Sequence, residues 1–138
     1  MKYPAKFEAG ETGAVIVTFR DIPEAIAQGN DEADAFTEGA SALLTAMDFY
    51  FEDRRPVPPP SASEDGERLI DLPLSASAKV MLLNEMLAQK VRPADLARAM
   101  SLKPQEVNRI IDLTHATKID TLAAAFKALG RELELAVR

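Results

Sequence analysis

Residues 93–112 read PADLARAMSLKPQEVNRIID, and this stretch decides the fold of the C-terminal half. Proline lacks an amide hydrogen and already has a helical φ, so it suits the first turn of a helix. Pro93 therefore opens one helix, which runs through Asp95, Leu96 and Ala97 to Met100. Ser101, Leu102 and Lys103 make a turn. Pro104 opens a second helix through Gln105, Glu106, Val107, Asn108, Arg109, Ile110 and Ile111. Two short helices that cross steeply need a small residue where they touch. They also need an apolar inner face and a polar outer face on the second helix. Ala97 supplies the small residue, and Val107 and Ile110 supply the inner face. Gln105, Asn108 and Arg109 are left outside. Side-chain amides can bond bidentately to adenine and guanidinium groups to guanine, so this outer face suits base edges in a DNA groove. Lys103 and the first amides of the second helix suit a phosphate. The same spacing also fits an ordinary pair of solvated helices.

Further along, Thr114-His115-Ala116-Thr117-Lys118 is a polar loop. His115 is the sole histidine, so no His cluster can form. Asp120 is placed to cap a helix containing Leu122, Ala123, Phe126 and Leu129, which stops at Gly130. From Glu132 to Arg138, Leu133, Leu135 and Val137 alternate with polar residues and predict a short final strand. A lone terminal strand is poorly stable, so pairing with its copy in a second subunit predicts a homodimer or higher homo-oligomer. Upstream, Ser75 or Ser77 is expected to cap a helix running to about Gln89. Ala76, Val80, Leu83 and Leu87 form one stripe. Met81, Leu82 and Met86 widen it, so the helix must be buried on several sides.

The N-terminal half has a different period. Tyr3, Ala5 and Phe7 alternate with Lys2, Lys6 and Glu8, which predicts a strand over 2–9. Residues 10–13 turn the chain. Val15, Val17 and Phe19 share one face of a second strand, broken at Asp21-Ile22-Pro23-Glu24. Ala25-Ile26-Ala27 makes a short third strand ending at Gly29-Asn30. Asp31 should cap a helix whose apolar face is Phe36, Ala40, Leu43, Met47 and Tyr50, ending near Asp53. Residues 54–67 are rich in proline, serine and acid, and predict an exposed, stiff spacer. Arg68 to Leu72 is a further strand that returns to the N-terminal sheet.

The chain has 138 residues, 47% of them hydrophobic, enough for one or two small cored domains. It has no cysteine, which excludes disulfides and thiolate metal sites. A charged N-terminus without an apolar run, and no membrane-length apolar stretch, predict a soluble cytoplasmic protein with no membrane partner. Charge is uneven. Residues 1–72 carry 6 Lys+Arg against 15 Asp+Glu, a net −9, while residues 73–138 carry 10 against 7, a net +3. An acidic half joined to a mildly basic half points to two partners of opposite charge.

The order of these features resembles known proteins. Leu96-Ala97-Arg98 through Val107-Asn108-Arg109, then Thr117 to Leu122 and Ala128-Leu129-Gly130, resembles the phage-repressor class of helix-turn-helix. The N-terminal half is similar to the HicB antitoxins. Gly13 to Phe19, Asp21-Ile22-Pro23-Glu24-Ala25, Gln28-Gly29, Ala42 to Asp53 and Leu72-Pro73-Leu74-Ser75 carry that likeness. The resemblance implies an α+β protein. Residues 1–73, including the Pro-rich loop 54–67, would be a partial RNase H-like β-β-β-α-β domain that masks a toxin. Residues 74–138 would be an all-α helix-turn-helix domain, with a short C-terminal strand, for DNA binding and dimerisation. The implied partners are a small basic ribonuclease toxin (HicA-like), with a double-stranded-RNA-binding type of fold, and operator DNA of the operon encoding both proteins. Thr117 and Lys118 join Lys103, Gln105, Asn108 and Arg109 as DNA-facing candidates. Asp21, Ile22, Pro23 and Glu24 are the toxin-facing ones, because an acidic break between strands suits a basic partner. Two departures stand out: Ser101 occupies a turn position usually held by glycine, and Asp34 a position where the family tends to have glutamate.

Two rival readings remain at this level. One is a helix-turn-helix regulator whose N-terminal domain senses a small ligand. The other is a metal-dependent nuclease, which needs several carboxylates converging on divalent ions. Glu8, Asp21, Asp48 and Asp71 serve only if the fold gathers them. A solvated or partner-facing surface is the simpler use of these acids. No catalytic residue, metal or cofactor is expected.

Overall fold

The alternation of Tyr3, Ala5 and Phe7 does produce a strand. In the computed structural model, which describes residues 1–138, β1 runs Lys2–Ala9 with Tyr3 and Ala5 fully buried. A single 3-10 turn at Glu11–Gly13 reverses the chain. β2 (Val15–Thr18) pairs antiparallel with β1, Lys6 opposite Thr18, and β3 (Ile26–Gly29) pairs antiparallel with β2. The chain then enters α1 (Glu32–Asp53), and β4 (Glu67–Asp71) returns to pair with β1, Tyr3 opposite Ile70. The sheet order is β3-β2-β1-β4, antiparallel throughout.

The start of α1 follows its residues. The Asp34 amide donates to the Asp31 carboxylate at 2.7 Å, and the Asn30 amide donates to the Asp34 carboxylate at 2.8 Å. Both amides would otherwise lack partners at a helix entrance. Asp34 makes this bond with a side chain one methylene shorter than glutamate. The buried face of α1 is Ala35, Gly39, Leu43, Ala46, Met47 and Tyr50, whereas Phe36 and Ala40 are only half-buried. The expected face was thus rotated at its N-terminal end. The cause is close approach. A Cβ on Gly39 would lie 3.1 Å from Val17 Cγ1 and 3.2 Å from Ile70 Cδ1, so no ring fits between helix and sheet there. Phe36 moves to the flank, with its ring centroid 6.2 Å from that of Phe7. The Arg68 guanidinium covers both rings at 4.9 and 5.0 Å.

Residues 54–67 are mostly exposed, as their composition predicts, but the loop is also anchored to the domain. Val57 is buried, and the Tyr3 hydroxyl donates to the Pro58 carbonyl at 2.8 Å. Burial, then the Asp21 charge, push the Tyr3 phenol up to about 12. Asp21 accepts from the Ser61 amide at 2.8 Å and the Ser61 hydroxyl at 2.6 Å. Arg20 donates bidentately to Glu67 at 3.0 and 3.1 Å and also to the Ala62 carbonyl. The loop is a strap stitched to the domain.

The chain divides into two compact units, Met1–Tyr50 with Val57–Leu74, and Phe51–Pro56 with Ser75–Arg138. The second contains α2 (Leu74–Ala88, its first residue excepted), α3 (Pro93–Met100), α4 (Pro104–Ile110) and α5 (Ile119–Ala128). α2 is buried over most of its circumference, as its apolar breadth requires, and Ala78, Leu82 and Met86 enter a core with Leu96, Ala97, Val107, Ile110, Leu122 and Phe126. Three expectations fail here. Ser75 and Ser77 lie inside α2, so neither caps it. Lys118 takes the cap position of α5, and Asp120 is its second residue. Residues 131–138 form no strand, because a terminal segment without a neighbouring strand has nothing to bond. Leu133 leans on the core, while Leu135 is 80% exposed and Val137 fully so.

Gly29→Ala should be among the most damaging small changes. Its Cβ would sit 2.2 Å from the Ala35 amide nitrogen and 2.5 Å from the Ala35 Cα. Both are backbone atoms that cannot rotate away. Thermal unfolding should register a loss of about 1–3 kcal/mol; an unchanged midpoint would mean that α1 does not depend on this contact.

Candidate nucleic-acid interface and acidic groove

α3 begins at Pro93, with the Asp95 carboxylate accepting the Arg92 amide at 3.0 Å. That bond, above all, holds the Asp95 carboxyl below the usual carboxylate range. α3 closes through Leu102 N–H to Ala97 O at 2.9 Å and Ser101 N–H to Arg98 O at 3.2 Å. Ser101 has φ 55 and ψ 42, the left-handed conformation that glycine adopts most easily. A side chain there costs about 1 kcal/mol.

α4 follows with only seven residues. Val107 and Ile110 are buried, and Gln105, Asn108 and Arg109 are exposed. Positions 105, 108 and 109 are spaced three and four apart, so their side chains share one helix face. Lys103 at the entrance and Lys118 beyond the loop are exposed, and Thr117 is half-buried with its hydroxyl 3.5 Å from the Arg109 carbonyl. All six candidate DNA-facing residues therefore lie on α4 or on the segments that enter and leave it. Glu106 and Asp112 add negative charge to the same region.

The loop after α4 is held from within. Asp112 accepts from the Thr114 hydroxyl at 2.8 Å and the Thr114 amide at 2.9 Å. Those two bonds, then the Lys79 and His115 charges, hold the Asp112 carboxyl below its ordinary 3.8. Lys79 escaped notice in the sequence. It is 1% exposed, and its ammonium donates to the carbonyls of Arg109 (3.2 Å), Asp112 (2.6 Å) and His115 (2.5 Å). Burial pulls it below the usual lysine range, and the Asp112 carboxylate pulls the other way. The one signal was a single charge in the otherwise uncharged run Leu74–Asn84.

On the acidic half, the break at 21–24 changes meaning. Asp21 faces Ser61, and Ile22 is fully buried, so Ile22 offers a partner nothing. Pro23 and Glu24 stay exposed, with Glu24 accepting the Tyr50 hydroxyl at 2.8 Å. Beside them a groove runs between the edge strand β3 and α1. Glu24 and Glu38 are its only charged lining residues, and Ile26 (64% exposed) and Phe49 (52%) stand open in it. Ile26 belongs to the expected third strand and Phe49 to the expected helix, but nothing in the local period marks either side chain as open to solvent. The acids do not gather for metal chemistry: Asp71 pairs with Lys2, and no three His, Asp or Glu side chains stand close enough to hold an ion. No helix is long and apolar enough to cross a membrane.

Residues 2–81 match the family model described as HicB_like antitoxin of bacterial toxin-antitoxin system. The chain belongs to the HicB-like antitoxin family. The likeness extends past the family model into the second unit of this HicB-like chain. It is 50% identical over 135 residues to Antitoxin HicB 2 of Photorhabdus laumondii, covering 98% of this chain and 95% of that one. It is 44% identical to Antitoxin HicB of Escherichia coli, covering 98% of each. It is 34% identical over 128 residues to Antitoxin HicB of Pseudomonas fluorescens, covering 92% of this chain and 88% of the relative.

Thr114→Val should raise the Asp112 midpoint toward 3.8, because the hydroxyl bond is the largest cause of its depression. The sign follows from linkage. A carboxyl with a folded pKa below its unfolded one stabilises above the unfolded value, and loses that contribution as pH falls through the folded value. The 112–114 turn should therefore loosen below about pH 3.8. Carboxyl carbon shifts across an acid titration read this directly, and a midpoint unmoved by the substitution refutes the assignment.

Proposed function

We propose that this chain is the antitoxin of a type II toxin–antitoxin pair and acts in the bacterial cytoplasm. Residues 1–73, read as a partial RNase H-like domain, mask a small basic ribonuclease toxin of the HicA-like kind. Residues 74–138, read as a phage-repressor-type helix-turn-helix domain, repress the operon encoding both proteins. Family membership carries the antitoxin part. The repressor part rests on one observation: Gln105, Asn108 and Arg109 stand exposed on one face of α4, backed by the buried Val107 and Ile110.

In this reading, Gln105 and Asn108 address adenine edges and Arg109 a guanine. Lys103, Thr117 and Lys118 contact backbone phosphates, which fix register rather than sequence. A net +3 over the C-terminal half is a weak attraction for DNA. A homodimer or higher homo-oligomer would double the phosphate contacts and match a palindromic site. The open residues Leu135 and Val137 supply an apolar edge for such pairing. The toxin-facing surface is the groove between β3 and α1, with Pro23 and Glu24 at its end. Its charged lining is acidic only, as a basic partner needs, and its open apolar residues allow burial on docking.

Arg109→Ala should weaken specific operator binding by about 1–3 kcal/mol and relax preference at one base position. Footprinting and gel-shift titration against base-substituted operators measure both, and an unaltered footprint places the reading surface elsewhere. Phe49→Glu should reduce affinity for the co-encoded basic protein at least about tenfold while leaving operator binding intact, since a single well-buried aromatic commonly contributes about 2 kcal/mol. Calorimetry on the purified pair gives the answer, and unchanged affinity moves the toxin site off this groove.

A further inference from the structure

We propose that Lys79, far along the chain from α4, is the positioning residue that sets the DNA-facing surface. This rests on the repressor reading of α4. A helix of seven residues has more orphan end carbonyls than internal bonds, so its C-terminal end frays unless something meets them. Lys79 meets them from behind. Its side chain starts in α2, is 1% exposed, and spends all three N–H donors on the carbonyls of Arg109, Asp112 and His115. These acceptors fall at the last turn of α4 and along the loop that leads to α5. The segment 109–115 is thus wrapped around one ammonium.

The residues that would touch DNA stand at the two ends of that wrapped segment. Arg109 gives its carbonyl to Lys79 and turns its guanidinium outward. Thr117 bonds the same carbonyl through its hydroxyl, and Lys118 follows it. Moving the ammonium moves Arg109 and the 117–118 pair together. A positive charge at a helix C-terminus also complements the partial negative charge there. No carboxylate hydrogen-bonds this ammonium. The Asp112 carboxylate turns to Thr114, so the Lys79 charge stays behind the surface that would meet phosphate. An apolar residue would fill the same space without desolvation cost and leave three carbonyls without their donor. The arrangement is one of geometry, not of packing alone.

The chain has no cysteine, so Lys79→Cys introduces a single thiol that can be rebuilt chemically. In the unfolded chain, 2-bromoethylamine is displaced at carbon by the thiolate. A C–S bond forms, bromide leaves, and an ammonium returns at nearly the length of lysine. With 1-bromopropane the same step gives a neutral side chain of the same size. Lys79→Met, purified without unfolding, is the second neutral form should refolding fail. Each full-length form is matched for folded fraction by circular dichroism. Each is then tested on the promoter fragment upstream of its own gene, and by amide exchange at residues 111–118. The aminoethylated form should match wild type. The neutral forms should exchange at least about tenfold faster over 111–118 and bind the fragment at least about tenfold more weakly, with binding of the co-encoded toxin unchanged. Neutral forms that exchange like wild type overturn the inference. So do neutral forms that exchange faster but bind DNA equally well, since Lys79 would then be merely structural. A wild-type chain without affinity for the fragment overturns the repressor reading instead, and the exchange data separate that failure from a failure of the clamp.

Discussion

Backbone groups at the ends of short elements have no ladder or helix partner, and one constraint, that they be met, shapes both halves of this protein. Charged side chains meet them. Asp31 and Asp34 take the amides at the entrance of α1, Asp21 takes that of Ser61 in the strap, and Asp95 and Asp112 take those flanking α3 and α4. Cations meet the leftover carbonyls: Arg20 that of Ala62, Arg54 that of Val91, and Lys79 three in succession. No buried side-chain nitrogen or oxygen is left without a partner.

This changes how the acidic surplus of the first half is to be understood. Asp21, Asp31, Asp34 and Glu67 are occupied within the fold, so they are poor bait for a basic partner. Glu38 lines an open groove beside exposed apolar side chains, which makes it better bait, whereas Glu24 lines the same groove with its carboxylate already accepting the Tyr50 hydroxyl. A charge count treats all these acids alike. Only their directions separate structural carboxylates from those available to a second molecule.

The two halves solve the problem of a small core differently. In the first, α1 comes close enough to the sheet that a Cβ on Gly29 would strike backbone and one on Gly39 would press on Val17 and Ile70, and Phe36 is displaced to stack with Phe7 under Arg68. In the second, α3 and α4 are eight and seven residues long and would not persist alone in water. They are held by Leu96, Ala97, Val107 and Ile110 against α2 and α5, and by the Lys79 clamp. The surface proposed to read DNA is therefore only as well ordered as the core behind it.

Period and punctuation in the sequence determined a great deal: the strands near 2–9, 15–18, 26–29 and 67–71, the five helices, and the outward set Gln105, Asn108 and Arg109. These follow from local rules, since alternation, proline placement and three-four spacing act within a few residues of chain. What tertiary structure alone decided is where close approach or distant bonding overrides a local preference. Ala35 and Gly39 replaced Phe36 and Ala40 on the buried face because backbone approach selects for size. The proline-rich loop became a strap because Tyr3, Arg20 and Asp21 reach it from dozens of residues away. The expected last strand did not form because strand pairing needs a neighbour that one chain does not supply. Lys79, a lone charge in an apolar helix, found its role only when the fold brought three carbonyls from thirty or more residues downstream to its ammonium.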